Sequence, residues 1–272
     1  MKINLKNTAS LMLLVCAVIM ALSFNSCKKD KNPYNEDGQI PGLGNVEGNL
    51  TGTAFKLPEG IELMGEITGD ADQYNYWDLD YYWEPYGKMN YSFVKKMDKI
   101  ETRSLSSRGT GDEEDIHYFG SGPGYVDLLI PLRNKLTTPV TITFPAATII
   151  RSQSGECQNG VLLKKVVITI PANSNYKLCL SMYCGNSDRG TAGRDDVYVF
   201  TVVSDAKPLL DLCDLVKNKK VNIEEYERTS YNDYMAYGSI TYTLQSAVWD
   251  ITDGEGIDQY TIEEIKALPN SN

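Results

Sequence analysis

Two periods divide the chain. From about residue 126 to 203 apolar and polar residues alternate or run in short apolar stretches, and beyond residue 208 apolar residues recur every three or four positions. A period of two places alternate side chains on opposite faces of a strand, and a period near 3.6 gathers them on one face of a helix. Val140-Thr141-Ile142-Thr143-Phe144 alternates and is stopped by Pro145, and Val166-Val167-Ile168-Thr169-Ile170 repeats the pattern and is stopped by Pro171. Residues 126–132 form a nearly continuous apolar run suited to a buried strand, and residues 176–182 and 197–203 predict two more strands. Phe144-Pro145-Ala146 and Ile170-Pro171-Ala172 make an internal echo, and Gly120-Ser121-Gly122-Pro123-Gly124 is turn chemistry. Residues 208–216 predict a helix with Pro208 in its first turn and Ser204 or Asp205 as cap. Ile240, Leu244, Ala247, Val248 and Ile251 form one helical stripe, with Ser239 as cap and Gly254 as stop, and Thr261 with Glu264 forms a capping box for a last short helix. The prediction is a mainly β chain: an Ig-like β-sandwich over 121–206 and a C-terminal helical segment, 207–272, packed on the sandwich.

The chain begins differently. Lys2 and Lys6 precede an apolar run over residues 11–22, which ends in Ala21-Leu22-Ser23-Phe24-Asn25-Ser26-Cys27. A basic start, an apolar centre and small residues before a cut site make a secretory signal, and the run is shorter than the roughly 20 apolar residues of a membrane span. The ending in cysteine resembles the lipobox of bacterial lipoproteins. That resemblance implies removal of residues 1–26, lipid on Cys27 and a membrane anchor. Residues 27–45 open with a charged stretch containing Pro33 and Gly38 and are expected to be a flexible tether. A charged patch in this position resembles the export signal of some Gram-negative surface lipoproteins, although those favour acidic residues and this one is mainly basic. The expected location is the outer membrane, facing outward. Residues 46–120 form an aromatic-rich β lead-in, in which residues 101–115 read as a mobile polar loop. Tyr76, Trp77, Tyr82 and Trp83 alternate there with Asp78, Asp80 and Glu84. Such rings stack on sugars or host protein surfaces, or else pack strands.

Charge and composition narrow the chemistry. The net charge is −10, and loss of Lys2 and Lys6 with the leader takes it to about −12. A surface of that sign repels nucleic acid. Of six cysteines, Cys16 leaves with the leader and Cys27 takes lipid, so Cys157, Cys179, Cys184 and Cys213 remain. An even number in an oxidising compartment predicts two disulfides, with three pairings open. His117 is the only histidine and no CxxC occurs, so no zinc set is expected. Asp253-Gly254-Glu255-Gly256-Ile257-Asp258, with Glu264 beyond, departs from a calcium loop at two positions and reads as a helix-ending turn. No cofactor motif, serine elbow or phosphate loop is present, and no catalytic carboxylate pair stands out among 36 acids.

One constellation carries chemistry. Tyr242-Thr243-Leu244-Gln245-Ser246-Ala247-Val248-Trp249 resembles the TQxA pattern of thioester domains in surface adhesins, and Tyr183-Cys184 resembles its cysteine half. The resemblance implies that Cys184 and Gln245 condense to a thioester able to trap a host amine. The chain departs from the family in three respects. The spacing of 61 residues is short, Leu244 separates Thr243 from Gln245, and use of Cys184 leaves an odd number of cysteines. The alternative is structural: Gln245 is a helix residue, Trp249 packs that helix on the sheet, and Cys184 sits in a disulfide. The sequence therefore predicts a lipid-anchored surface binding or adhesion protein without turnover. Its alternatives are a covalent thioester adhesin and a glycan-binding protein or glycan hydrolase. The partners implied are the membrane, through Cys27, and a glycan or host surface protein.

Overall fold

The computed structural model describes residues 40–70, 116–226, 231–254 and 256–271. Their strands are β1 (Gly52–Ala54), β2 (Ile61–Leu63), β3 (Ile67–Gly69), β4 (Ile116–Gly120), β5 (Val126–Asn134), β6 (Val140–Phe144), β7 (Thr148–Ser152), β8 (Gly160–Val161), β9 (Val166–Ile170), β10 (Asn175–Cys184) and β11 (Val197–Ser204). Helices α1 (Lys207–Val216), α2 (Tyr231–Thr252) and α3 (Gln259–Ala267) follow, with a 3-10 turn at Ile223–Glu225 between α1 and α2. The chain is thus mainly β with a C-terminal helical segment.

Strand alternation becomes burial directly. Along β5 the even residues Val126, Leu128, Ile130 and Leu132 are fully buried, and along β10 the even residues Leu178, Leu180, Met182 and Cys184 are buried with them. These two long strands pair antiparallel from Asn175↔Arg133 to Met182↔Val126. The remaining pairings bring the sheet back on itself. β10 pairs β8, β8 pairs β7, β7 pairs β11, β11 pairs β3, and β3 pairs β5. The ring of six strands is a closed barrel, so the expected Ig-like sandwich of two separate sheets is not the arrangement. Its two smallest strands, β3 with three residues and β8 with two, complete the ring. β1, β2 and β4 line the outer edges of β11, β5 and β10.

β6 and β9 form a separate two-stranded ribbon. Its inner residues Ile142, Phe144, Val166, Ile168 and Ile170 join the barrel core, and Phe144 stacks on Phe55 at 5.3 Å. The echo between the two Pro-Ala endings is a repeated turn. The residue after each, Ala147 or Asn173, has positive φ (63° and 49°), and the next hydroxyl, Thr148 Oγ1 or Ser174 Oγ, donates to the proline carbonyl at 2.7 or 2.8 Å. Each turn leads a ribbon strand into a barrel strand, β6 into β7 and β9 into β10.

The helices cover the outside of the barrel. Ile149 of β7, Val161 of β8 and Tyr183 of β10 point away from the interior and pack with Leu209, Leu212, Leu244, Val248, Ile251 and Ile262. The stripe read from α2 is this buried face, but the helix begins at Tyr231, so Ser239 lies within it and caps nothing. α1 has Pro208 in its first turn and no side-chain cap, while Ser204 Oγ accepts from the Ala206 N–H just before it. α3 is capped by Asp258, whose carboxylate accepts from Thr261 N–H at 2.7 Å, in place of the expected Thr261–Glu264 box. α2 ends at Thr252, and Gly254 follows at φ 92°, a conformation glycine adopts without a Cβ clash.

The proposed tether ends earlier than its predicted boundary. Ile40 and Leu43 are buried in the helical core, and Gly44 N–H donates to Gly185 C=O at 2.7 Å. Residues 40–45 therefore belong to the folded body. At the other end Lys164 Nζ reaches Glu225 Oε2 at 2.7 Å, Lys219 C=O at 2.7 Å and Ser271 Oγ at 2.6 Å, fastening the C-terminus to the barrel.

Candidate functional site

The last residue of β10 is the centre of the site. Successive residues of a strand direct their N–H and C=O groups to opposite edges. Ser181 C=O accepts from Ser121 N–H, and Gly185 N–H donates to Asn159 C=O, both at 2.9 Å, so odd residues here face the β4 and β8 edge. Even residues face β5. Yet β5 begins at Val126, opposite Met182, so Cys184 extends past it with a main-chain donor and acceptor exposed at the edge. Gln245 of α2 fills that place. Cys184 N–H donates to Gln245 Oε1 at 2.8 Å, and Gln245 Nε2 donates to Cys184 C=O at 2.9 Å. The carboxamide stands in for the missing residue of β5, and both Gln245 and Cys184 are buried.

The thiol lies within the same few ångströms. Cys184 Sγ donates to Asn186 C=O at 3.3 Å and accepts from Trp249 Nε1–H at 3.4 Å. Gln245 and Trp249 are four residues apart on α2, one helical turn, so one helix presents both groups to one residue. Tyr125, immediately before β5, stacks on the indole at 5.8 Å and 23°. Tyr125 is also hydrogen-bonded to the half-exposed Tyr242, one turn before Ser246 on α2, and burial holds the Tyr125 phenol above its usual range. Tyr242 lines an open depression of about 340 Å³ with Thr243, Ser246, Thr261 and Glu264, between α2 and α3. Burial pushes the Cys184 thiol up to about 11. The Trp249 and Asn186 bonds work against this, and the Asp253 and Asp188 carboxylates add to it. The thiol is protonated at neutral pH.

Buried amides hold this arrangement. Asn186 Oδ1 accepts from Asn159 N–H at 3.1 Å and Asn186 Nδ2 donates to Gly44 C=O at 2.9 Å. Asn159 Oδ1 accepts from Ser152 N–H at 3.0 Å, and its Nδ2 donates to Gly42 C=O at 3.3 Å. Next to Cys184, the fully buried Tyr183 hydroxyl hydrogen-bonds Ser121 Oγ, and burial drives its pKa far up. Both asparagines adjoin glycines, Asn159-Gly160 and Gly185-Asn186, a pattern that reads as turn chemistry and hides their burial.

The other sequence-predicted residues fall elsewhere. None of Cys157, Cys179, Cys184 and Cys213 forms a disulfide. Cys179 and Cys184 lie five residues apart on one strand, roughly 16 Å, against the ~7 Å a disulfide can span. They also point to opposite faces. Cys213 packs in the helical core, across the sheet from Cys157 and Cys184, and the Cys157 thiol is hydrogen-bonded to Asp196. His117 stacks on Tyr176 at 4.2 Å. Asp253 accepts from Ser187 Oγ at 2.9 Å, and no cluster of three metal-ligating side chains occurs among the described residues. Cys27 and the aromatics Tyr76, Trp77, Tyr82 and Trp83 lie outside the described residues. Among the described residues no helix is long and apolar enough to cross a membrane. The chain matches no family model, no curated protein and no solved structure.

Proposed function

We propose that this chain is a lipid-anchored surface adhesin that captures an amine-bearing partner through a thioester between Cys184 and Gln245. One observation carries the reading: a thiol-bearing residue and a carboxamide 61 residues apart meet, buried, where α2 crosses the end of β10. The chemistry is a condensation. The carboxamide turns from the Cys184 main chain toward Sγ, sulfur attacks Cδ, the C–N bond breaks, and ammonia leaves with the thiol proton. An incoming amine then attacks the acyl carbon and becomes an amide on residue 245. Lipid on Cys27 would hold the protein at the surface, the residues up to about 39 would give reach, and the closed barrel would hold the thioester rigidly.

A second reading is favoured by the bond pattern itself, because both ends of the carboxamide are spent on the Cys184 main chain. In that reading Gln245 only fastens α2 to β10. The protein then binds a glycan or host protein reversibly, with Tyr76, Trp77, Tyr82 and Trp83 as contact residues. Incubating the full chain with methylamine and mapping peptide masses separates the two. The covalent reading predicts a methylamide on Gln245 that is absent from Cys184→Ala. An unmodified Gln245 in the unsubstituted protein would leave the reversible reading standing alone.

A further inference from the structure

Resting on the thioester reading, we propose that Trp249 is a catalytic residue of thioester opening, its indole N–H stabilising the sulfur as it leaves. Nε1 lies 3.4 Å from Cys184 Sγ. An indole nitrogen only donates, so at this sulfur Trp249 can serve as nothing but a hydrogen-bond donor. The sulfur's other bond, to Asn186 C=O, requires the thiol proton, and a thioester sulfur has none. That bond is lost on condensation while the Trp249 bond persists. The donor is also fixed in place: Tyr125 stacks on the ring, and the Tyr125 hydroxyl is itself held by Tyr242. Preorganised donors aimed at developing charge lower a barrier most where water is excluded.

The step balances. The amine nitrogen attacks the acyl carbon of residue 245, the C–S bond breaks, and its electron pair goes to Sγ beside Nε1–H. The proton released by the new ammonium passes to sulfur, and the restored thiol again donates to Asn186. Burial makes an unassisted thiolate costly at this position, so the donor matters most as the C–S bond breaks.

The test is Trp249→Phe in the full chain, read by intact mass and by the rate of methylamine opening across pH. The expected result is a variant that still lacks one ammonia but opens about ten- to hundredfold more slowly, the effect of one hydrogen bond to a developing charge. After opening, its thiol should alkylate with a pH midpoint above that of the unsubstituted protein. Loss of packing alone would admit water and move that midpoint down, the opposite direction. An ammonia-deficient variant with unchanged rate and midpoint would overturn the role of Trp249 and leave the thioester intact. A full-mass unsubstituted protein would instead overturn the thioester itself. If the phenylalanine variant does not fold, benzothienylalanine at the tryptophan positions keeps the two-ring shape without the N–H and gives the same readouts.

Discussion

The interior of the barrel and the seam between barrel and helices are both buried, but they are built on different principles. Inside the barrel the contacts are apolar: Leu128, Ile130 and Leu132 of β5 meet Leu178 and Leu180 of β10, and the strands' polar groups are spent in the ladder. Such a core accepts many side chains of suitable volume. The seam has an apolar layer too, but it is stitched by polar groups: buried Gln245 on Cys184, Asn186 on Asn159 and Tyr183 on Ser121, and the partly buried Lys164 on Glu225. Burial would raise the Glu225 carboxyl, yet the Lys164 bond and the Ser271 and main-chain bonds hold it below the usual range. A buried polar group is stable only with its specific partner, so the Gln245 bonds to Cys184 fix one placement of α2. The barrel supplies rigidity, and the seam supplies the geometry on which the proposed chemistry depends.

Truncating Leu128, in the middle of the barrel, should have the largest effect on stability. Leu128→Ala should cost about 2–5 kcal/mol by denaturant unfolding, as a large-to-small change in a close-packed interior does. The protein that remains folded should keep its seam unchanged. A smaller sum is expected at the seam. In a Cys184→Ala background, where the carboxamide stays on the main chain of residue 184, Gln245→Ala should cost about 1–3 kcal/mol, because it strands that N–H and C=O. Gln245→Glu sharpens this. A carboxylate there can accept from the Cys184 N–H but faces its carbonyl, and the protonated acid satisfies both. The pKa of this new side chain would therefore be raised by folding. Its stability should match that of Cys184→Ala, which keeps the unreacted carboxamide, at low pH and fall as pH rises through the carboxyl range, while Gln245→Ala should show no such pH dependence.

A pH effect concerns the buried thiols on the two sides of the sheet, Cys213 and, once amine has opened the thioester, Cys184. Burial raises Cys184 to about 11 and Cys213 to about 12, from an ordinary value of 9.0. Folding then takes up protons relative to the unfolded chain above pH 9. The stability from these groups is complete below pH 9 and is lost as pH climbs through 11 and 12. Thermal melts of the amine-opened protein from pH 8 to 11 should show this decline, and Cys213→Ala should reduce it. A flat profile in the amine-opened protein would contradict the burial assigned to both thiols.

The strands that carry their own pattern were legible. β6 and β9 fall where alternation and proline place them, because each buries one face of a ribbon. Barrel closure was not legible, since it passes through β3 and β8, whose three and two residues are too few to show a period. The disulfide expectation failed because counting cysteines ignores register, and register puts Cys179 and Cys184 on opposite faces of one strand. Meeting of Cys184 and Gln245 was legible only through the resemblance. Nothing in the apolar pattern reveals that β10 outruns β5, which is what creates the place Gln245 fills. Tyr125 and the two asparagines gave no signal, because next to glycines and prolines they read as loop residues.

The proposed chemistry requires that Cys184 and Gln245 join. The intact mass of the purified full chain, measured untreated, after reduction and after Cys184→Ala, tests it most directly. A thioester predicts a protein lighter by one ammonia than the same unreacted chain, unchanged by reductant, with no such deficit in Cys184→Ala. A full-mass protein with an alkylatable Cys184 would contradict it, and Gln245 would then be a fastener between helix and strand and nothing more.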